Sequence, residues 1–275
     1  DYKYSKKNYR LGATFSASYM GEKKFEENAK VISQKKIADG VFDMWIMTSN
    51  IAEKAVPGQF ISVYTKDASK LLPRPISICE TEGRKLRIVY RVVGGGTTEF
   101  STYKEGESIH ILGPIGNGFP IKEGRKAILI GGGIGIPPML ELARRMGGEP
   151  EIVVGYRNSD TFLTDDLKAY GNLTIASDDG SIGTKGTVID AIRENGIKGD
   201  IIYACGPTPM LRGIKAYAEE NNIEAYISLE EKMACGVGAC LACVCKTTGI
   251  DDHSKVHNAR VCKDGPVFNA KEVDL

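Results

Sequence analysis

The chain has 275 residues, of which 42% are hydrophobic and 26% are charged, and its net charge is +1. This composition is typical of a globular protein of about two domains and excludes a disordered or fibrous chain. The near balance of 36 basic and 35 acidic residues gives no electrostatic reason to expect nucleic-acid binding. The longest apolar stretch, residues 127–140, is interrupted by glycines and prolines and falls short of the about 20 residues of a membrane span.

Residues 1–28 are assigned to an N-terminal extension. The chain begins with Asp1, and Met20 is a candidate for the natural start, which would make residues 1–19 an upstream addition. No apolar segment follows the early lysines, so no secretory signal is recognised. The odd number of cysteines, seven, argues against a full set of disulfides. Together these features predict a reducing, cytoplasmic location.

The next part of the chain, residues 29–121, contains short β-rich runs separated by Gly, Pro, Asp or Asn. Examples are residues 59–64, 86–90 and 108–112. Strands at this spacing predict an antiparallel barrel or sandwich.

Residues 122–228 alternate between strand and helix patterns. Strands are predicted at 127–130, 151–154, 173–176 and 200–204, and helices at 138–146, 165–170, 187–194 and 209–221. This alternation predicts a parallel α/β sheet. Residues 229–275 are rich in loops and cysteines, as expected of a small module that is organised by a metal rather than by a core.

The cysteines of this last segment follow the plant-type [2Fe–2S] spacing, C-x4-C-x2-C and a distant fourth cysteine. A zinc site with four cysteine ligands is the alternative, although zinc ribbons tend to use two C-x2-C pairs. Cys245 lies outside the spacing and is given no role. The candidate metal ligands are Cys235, Cys240, Cys243 and Cys262.

A flavin-binding pattern lies in the predicted β region. Arg74 supplies a cation for a pyrophosphate, Ser77 supplies a small polar group for the flavin N5, and Pro75 stiffens the backbone between them. Glycines at 94–96 and two threonine hydroxyls then predict a phosphate cradle, and the preceding strand offers a tyrosine to the flavin ring. A turn, a flexible loop and simple packing are the competing interpretations. The candidate FAD residues are Arg74, Pro75, Ile76, Ser77, Val89, Tyr90, Arg91, Gly96, Thr97 and Thr98.

Two turns of the α/β region predict a nicotinamide-nucleotide site. Residues 131–135 form a glycine turn between a strand and a helix, although they do not match G-x-G-x-x-G. A Cys-Gly-Pro turn follows a later strand, and both turns are expected at one crevice. Arg157 could meet a 2′-phosphate, so the residues alone leave NAD and NADP open. The candidate NAD residues are Gly132, Gly133, Gly135, Cys205, Gly206 and Pro207.

The order Arg-Pro-x-Ser, Gly-Gly-Gly-x-Gly-x-x-Pro and Cys-Gly-Pro resembles the ferredoxin–NADP reductase superfamily. The segments Met233–Cys243 and Arg260–Phe268 then resemble the electron-transfer subunits of NAD-dependent class 1B dihydroorotate dehydrogenases. The resemblance covers residues 29–275. It implies an antiparallel β-barrel FAD domain at 29–121, a parallel α/β NAD-binding domain at 122–228 and a small [2Fe–2S] module at 229–275.

The resemblance also implies a partner and an electron path. Two such subunits would join two FMN-containing catalytic subunits, which oxidise dihydroorotate in pyrimidine biosynthesis. Electrons would pass from FMN through [2Fe–2S] and FAD to NAD+, so this chain would hold no dihydroorotate-oxidising residue. Two alternatives remain: an NAD(P)H-dependent reductase that serves a ferredoxin, oxygenase or hydrogenase, and a zinc-stabilised binding module without catalysis.

Overall fold

The computed structural model describes residues 24–250 and 255–275. The expected upstream addition at residues 1–19 lies outside the described residues. No helix in the described ranges is both long and apolar enough to cross a bilayer.

The first half of the chain forms a closed antiparallel barrel in the strand order β1-β2-β5-β4-β3-β6. Alternation places one face of each strand inside, where Ile61 and Val63 of β3 are fully buried. The barrel confirms the predicted fold class and decides between barrel and sandwich. Its elements are β1 (Phe25–Ala38), β2 (Val41–Met47), α1 (Ile51–Lys54), β3 (Phe60–Val63), β4 (Arg74–Glu82), β5 (Lys85–Arg91), α2 (Gly95–Phe100) and β6 (Ser108–Ile115).

The second half forms a sheet with helices, which confirms the predicted α/β class. Its central strand is completely buried, as its uninterrupted apolar sequence requires. The elements are β7 (Ala127–Gly132), α3 (Pro137–Met146), β8 (Glu151–Tyr156), α4 (Thr164–Lys168), β9 (Asn172–Ser177), β10 (Thr184–Lys185), α5 (Val188–Glu194), β11 (Ile201–Cys205), α6 (Thr208–Glu220) and β12 (Glu224–Ser228).

The C-terminal module adds three short strands: β13 (Val244–Lys246), β14 (Asn258–Arg260) and β15 (Val267–Asn269). Strands β13 and β14 form an antiparallel pair. Strand β15 joins the large sheet, whose order is β10-β9-β8-β7-β11-β12-β15, and runs antiparallel to β12. The module is therefore attached to the nucleotide-binding sheet by main-chain hydrogen bonds.

Several elements differ from the sequence-based expectation. Strand β1 starts at Phe25, four residues before the predicted β region, because residues 25–28 pair with residues 110–113 of β6. Strands β10 and β12 were not predicted: β10 has only two residues, and the five residues of β12 pair with β11.

The order of the parallel strands creates a crevice. The chain leaves β7 toward β8 on one side and returns to β11 on the other, so the connections after β7 and β11 diverge. Ligands of open α/β sheets bind at such a switch point, outside the carboxyl ends of the strands. A shared apolar cluster, which includes Phe60, Ile115, Ile227, Met233 and Cys243, packs the barrel, sheet and module together beside it.

Candidate functional site

A cavity of about 520 Å3 lies between the barrel, the crevice of the sheet and the C-terminal module. This volume is within the range of about 300–1,000 Å3 that is usual for small-molecule sites. The barrel contributes β4 and β5, the turn after β7 contributes Ile134, and the segment after β12 contributes Ser228 to Met233. One cavity is thus bordered by all three parts of the chain.

The predicted FAD residues converge on this cavity. Arg74, Pro75, Ile76, Ser77, Val89, Tyr90, Arg91 and Thr97 all line it, whereas Gly96 and Thr98 lie beside it in α2. A Cβ atom at Gly96 would overlap the Arg74 guanidinium, so the glycine lets the arginine lie flat against the start of α2. Arg74 Nη1 also donates to the Leu72 carbonyl oxygen. The cation and the first N–H groups of the helix therefore form one surface that fits a pyrophosphate.

The hydroxyl groups of the two threonines differ from the expectation. Thr97 Oγ1 donates to the Gly94 carbonyl oxygen at 3.0 Å and accepts from the Val93 and Gly94 N–H groups. Thr98 Oγ1 donates to the same carbonyl oxygen at 3.1 Å. Both hydroxyls thus stabilise the turn itself, because Gly94 precedes the helix and leaves its backbone groups to be capped by side chains.

Tyr90 also has a structural role. It is 1% exposed, its hydroxyl donates to Gln34 Oε1 at 2.7 Å, and its ring stacks on Phe42. Burial raises the pKa of the Tyr90 hydroxyl, so that group stays neutral. Tyr90 nevertheless lines the cavity.

The two predicted NAD turns lie side by side at the carboxyl edge of the sheet. Cys205 of β11 pairs with Gly131 of β7, and the turns continue from these positions. A Cβ atom at Gly135 would lie only 2.6 Å from the Gly206 nitrogen, and one at Gly132 would lie 3.1 Å from Pro207 Cδ. The glycines are therefore needed for the close approach of the turns. Gly133 has a φ of 51°, which favours glycine for a second reason.

Cys205 pairs along the sheet with Ser228, which lines the cavity. Cys205 itself is 1% exposed. Burial first, and the Glu230 carboxylate second, raise the pKa of the Cys205 thiol, so it remains protonated. Arg157 follows β8 and is exposed at the same edge of the sheet.

The four predicted metal ligands form two pairs. Burial raises the pKa of the Cys235 thiol, but Cys240 lies close enough to help lower it, and the Cys262 N–H donates to Cys243 Sγ at 3.4 Å. The strand pair β13–β14 creates the second pair, because the Val261 N–H donates to the Cys243 carbonyl oxygen and brings Cys262 alongside. Within residues 24–250 and 255–275, no three Cys, His, Asp or Glu side chains converge on a single ion position. Two pairs suit a binuclear cluster, in which each iron takes two cysteines.

The loop around Cys235 stabilises the thiolate form of this cysteine. Burial raises the pKa of the Cys235 thiol, but hydrogen bonds from the Val237 N–H, from Cys240 and from the Ala239 N–H outweigh burial and lower it to about 6. The two N–H groups lie 3.4 Å and 3.3 Å from Cys235 Sγ. This geometry needs Gly236 and Gly238, whose φ angles are 66° and 85°. A thiolate that accepts N–H donors is the form that binds iron.

Several cavity residues were not found from the sequence. Glu230, Met233 and Phe60 line the cavity without belonging to a glycine, cysteine or Arg-Pro pattern. Glu230 is open to water, yet protein atoms crowd its carboxyl group, and this desolvation raises its pKa. Its position directly after β12 was the available signal, because functional side chains gather at the carboxyl ends of parallel strands.

Two family descriptions match the chain. "Iron-sulfur cluster binding domain of dihydroorotate dehydrogenase B" matches residues 230–274, which contain all four candidate ligands, and "Oxidoreductase NAD-binding domain" matches residues 129–216. A relative from Geobacillus sp. (strain WCH70), named "Dihydroorotate dehydrogenase B (NAD(+)), electron transfer subunit", is 42% identical over 260 residues. The match covers 91% of this chain and 99% of the relative.

This chain belongs to the family of dihydroorotate dehydrogenase B electron transfer subunits. A second member, from Listeria monocytogenes serotype 4a (strain HCC23), is 43% identical over 90% of this chain and 98% of its own length. The family is thus shared over the barrel, the sheet and the cysteine module together.

Solved structures agree with this fold. A chain of the NADH-dependent reduced ferredoxin-NADP oxidoreductase superposes with a TM-score of 0.81 and 31% identity, over 90% of each chain. Phthalate dioxygenase reductase superposes with a TM-score of 0.59 over 86% of this chain and 94% of its own, at 19% identity, which shows the fold alone. The predicted resemblance to reductases of this superfamily is confirmed.

Proposed function

We propose that this chain carries electrons from a dihydroorotate-oxidising, FMN-containing catalytic subunit to NAD+, in the pyrimidine biosynthesis of the cytoplasm. The partner is expected in a complex with two copies of each chain. The names of the relatives support the partner and the nucleotide. All seven cysteines are free thiols, which agrees with a reducing compartment.

One observation carries the proposal. Met233 lines the cavity that the predicted FAD residues border, and Cys235 follows it by two residues, so the cysteine loop begins next to that cavity. When bound, the cluster supplies one-electron transfer. FAD accepts electrons one at a time and passes two of them on as a hydride. The turn after β7 borders the same cavity through Ile134, so the three sites that such a relay needs adjoin one another.

The residues of this chain then have distinct tasks. Arg74 and the start of α2 hold the flavin pyrophosphate, and Ser77 presents its hydroxyl in the cavity. Gly132, Gly135 and Gly206 keep the nucleotide turns close enough to form one crevice. Cys235, Cys240, Cys243 and Cys262 hold the cluster, with the N–H donors of the Cys235 loop compensating the negative charge on sulfur.

The test begins with the purified chain, which should contain iron, sulfide and FAD and show the absorption of both cofactors. The Cys240→Ser variant should lose iron and sulfide while FAD-dependent reduction of a dye by NADH continues. Dihydroorotate-dependent reduction of NAD+ should appear only with the FMN subunit and should be lost in Cys240→Ser. A folded, FAD-loaded Cys240→Ser variant without dye reduction would contradict the electron order. A colourless protein that contains zinc would contradict the proposal entirely.

A second candidate rests on the likeness to the reduced ferredoxin-NADP oxidoreductase chain, which is 31% identical along 90% of this chain. In this alternative the same cofactors serve a ferredoxin-linked partner. Purification of the chain from its native cells distinguishes the two: an FMN protein that oxidises dihydroorotate supports the first function, and a ferredoxin-reducing subunit supports the second.

A further inference from the structure

Ser62 carries a buried hydroxyl group that has no hydrogen-bond partner among the described residues. The residue is 1% exposed and lies in the middle of β3. A buried hydroxyl without a partner is energetically costly, and such groups are rare in native proteins. An unpaired Ser62 Oγ therefore indicates a ligand atom or another group that completes the site.

The direction of the side chain follows from the strand. Ile61 and Val63 belong to the interior of the barrel. Because side chains alternate along a strand, Phe60 and Ser62 share the outer face. Phe60 lines the cavity of the predicted FAD site. Ser62 lies one step further along the same face, on the side of the cysteine module.

The loop that carries the candidate ligand Cys235 faces Ser62. A Cβ atom at Gly236 would lie 3.0 Å from Ser62 Oγ and 3.4 Å from Ile115 Cδ1, so the bare backbone next to Cys235 packs directly on the hydroxyl. The outer face of β3 thus borders the loop that carries Cys235.

Two of the cysteine sulfur atoms already accept hydrogen bonds from main-chain N–H groups. Cys235 Sγ accepts from Val237 and Ala239, and Cys243 Sγ accepts from the Cys262 N–H at 3.4 Å. The hydroxyl of Ser62 is a further donor that comes from the flavin domain rather than from the module. Hydrogen bonds to cluster sulfurs stabilise the more negative, reduced state and raise the reduction potential.

We propose that Ser62 is a positioning and tuning residue whose hydroxyl donates a hydrogen bond to a cluster sulfur beside Cys235. This inference rests on the proposed function, because it requires the cluster. The barrel then sets the potential of the cluster directly, through the same strand that borders the FAD cavity. Replacement of Ser62 makes the cluster harder to reduce without changing any ligand.

The experiment uses the full chain with FAD and cluster bound. Ser62→Ala should keep the iron, sulfide and FAD contents and shift the midpoint potential of the cluster to a more negative value. In the reduced protein, pulsed ENDOR with exchange into deuterated water should show one exchangeable proton coupling fewer than in the parent chain. Ser49→Ala, which changes an exposed serine of the same barrel, is the control and should leave both readouts unchanged.

Two variants of similar size distinguish loss of the hydroxyl group from a change in packing. Ser62→Thr keeps the hydroxyl and Ser62→Val replaces it with a methyl group of similar shape. Only the threonine variant should retain the parental potential and proton coupling. Equal readouts in the threonine and valine variants, loss of the cluster from both, or an unchanged Ser62→Ala protein would each overturn the inference. Absence of iron and sulfide from the parent chain would instead overturn the proposed function.

Discussion

Glu230 is a carboxylate that lines the cavity and follows β12 directly. Its carboxyl group is crowded by protein atoms that raise its pKa, and its negative charge in turn raises the pKa of the Cys205 thiol. The nicotinamide ring of NAD+ is positively charged and that of NADH is neutral. A carboxylate in this cavity therefore favours the oxidised nucleotide, and a protonated carboxyl does not.

We expect the affinity for NAD+ to fall as the pH decreases through the raised pKa of Glu230, because protonation removes the favourable charge. Glu230→Gln should weaken NAD+ binding about five- to tenfold at neutral pH, which corresponds to roughly 1 kcal/mol, and should leave NADH binding nearly unchanged. Titration of the FAD-loaded protein with each nucleotide across the pH range measures both effects. Glu219→Gln, an exposed position of α6 that is not part of the cavity lining, is the control and should keep the pH dependence.

Glycines that look alike in the sequence differ in their surroundings. Gly213 is a solvent-exposed residue in the middle of α6, and its φ is not in the left-handed region. A Cβ atom added at this position would have no other atom within 4 Å. A Cβ atom at Gly135, in contrast, would meet the backbone of Cys205 and Gly206. Only the second glycine is required by packing.

Gly213→Ala should therefore stabilise the protein by about 0.5–1 kcal/mol, because glycine loses more backbone entropy than alanine in a helix. Urea unfolding followed by circular dichroism measures the change. Gly135→Ala should lower the free energy of unfolding and weaken NADH binding. A destabilised Gly213→Ala protein would show that α6 has contacts that its exposed face does not reveal.

At the scale of elements, helix α3 is attached to the barrel strand β4 by a buried carboxylate. Glu141 is 1% exposed and accepts hydrogen bonds from the Thr81 N–H at 3.2 Å and the Thr81 hydroxyl at 2.9 Å. Arg144 and Arg145 donate to the same carboxylate, and Arg144 also donates to the Thr81 carbonyl oxygen at 2.8 Å. The nucleotide domain and the flavin domain thus share one fully paired polar cluster.

Glu141→Ala should destabilise the protein by about 3–5 kcal/mol, since it leaves two arginines and Thr81 without their buried partner. Thermal and urea unfolding report the loss. Glu141→Gln, which keeps the shape and part of the hydrogen bonding, should lose less. Glu219→Gln, on the exposed face of α6, should stay within about 0.5 kcal/mol of the parent chain.

The elements differ in how far the sequence determines them. The Cys235 loop was predictable because three ligands and their glycines lie within nine residues, so the chemistry is local. The glycine turn after β7 was predictable for the same reason. Strand β12, Glu230 and Ser62 were not, because each acquires its role from residues far away in the chain. The sequence also does not show that the Thr97 and Thr98 hydroxyls donate to the Gly94 carbonyl oxygen.

At the scale of the whole molecule, the relative position of the two large domains depends on a few polar contacts in addition to the shared core. Arg87 of the barrel is almost buried and pairs with Asp43 and Glu80 of its own domain and with Asp166 of α4 at 2.9 Å. Nearby, the Asp39 N–H donates to Asp160 Oδ2 at 2.8 Å. Both contacts join the barrel to the nucleotide-binding domain, and we expect them to help set how the nucleotide crevice faces the flavin cavity.

Asp166→Asn tests whether this orientation matters for hydride transfer. The stability cost should be below about 1 kcal/mol, because Asp166 is 41% exposed and Arg87 keeps two other carboxylates. The rate of FAD reduction by NADH should nevertheless fall two- to fivefold, since a small loss of orientation at the reacting atoms reduces the rate. Stopped-flow absorbance of the FAD-loaded protein measures it. Asp165→Asn is a matched control, because the neighbouring carboxylate is 95% exposed and pairs with Lys168. Equal rates in the two variants would show that the shared apolar core alone fixes the domain arrangement.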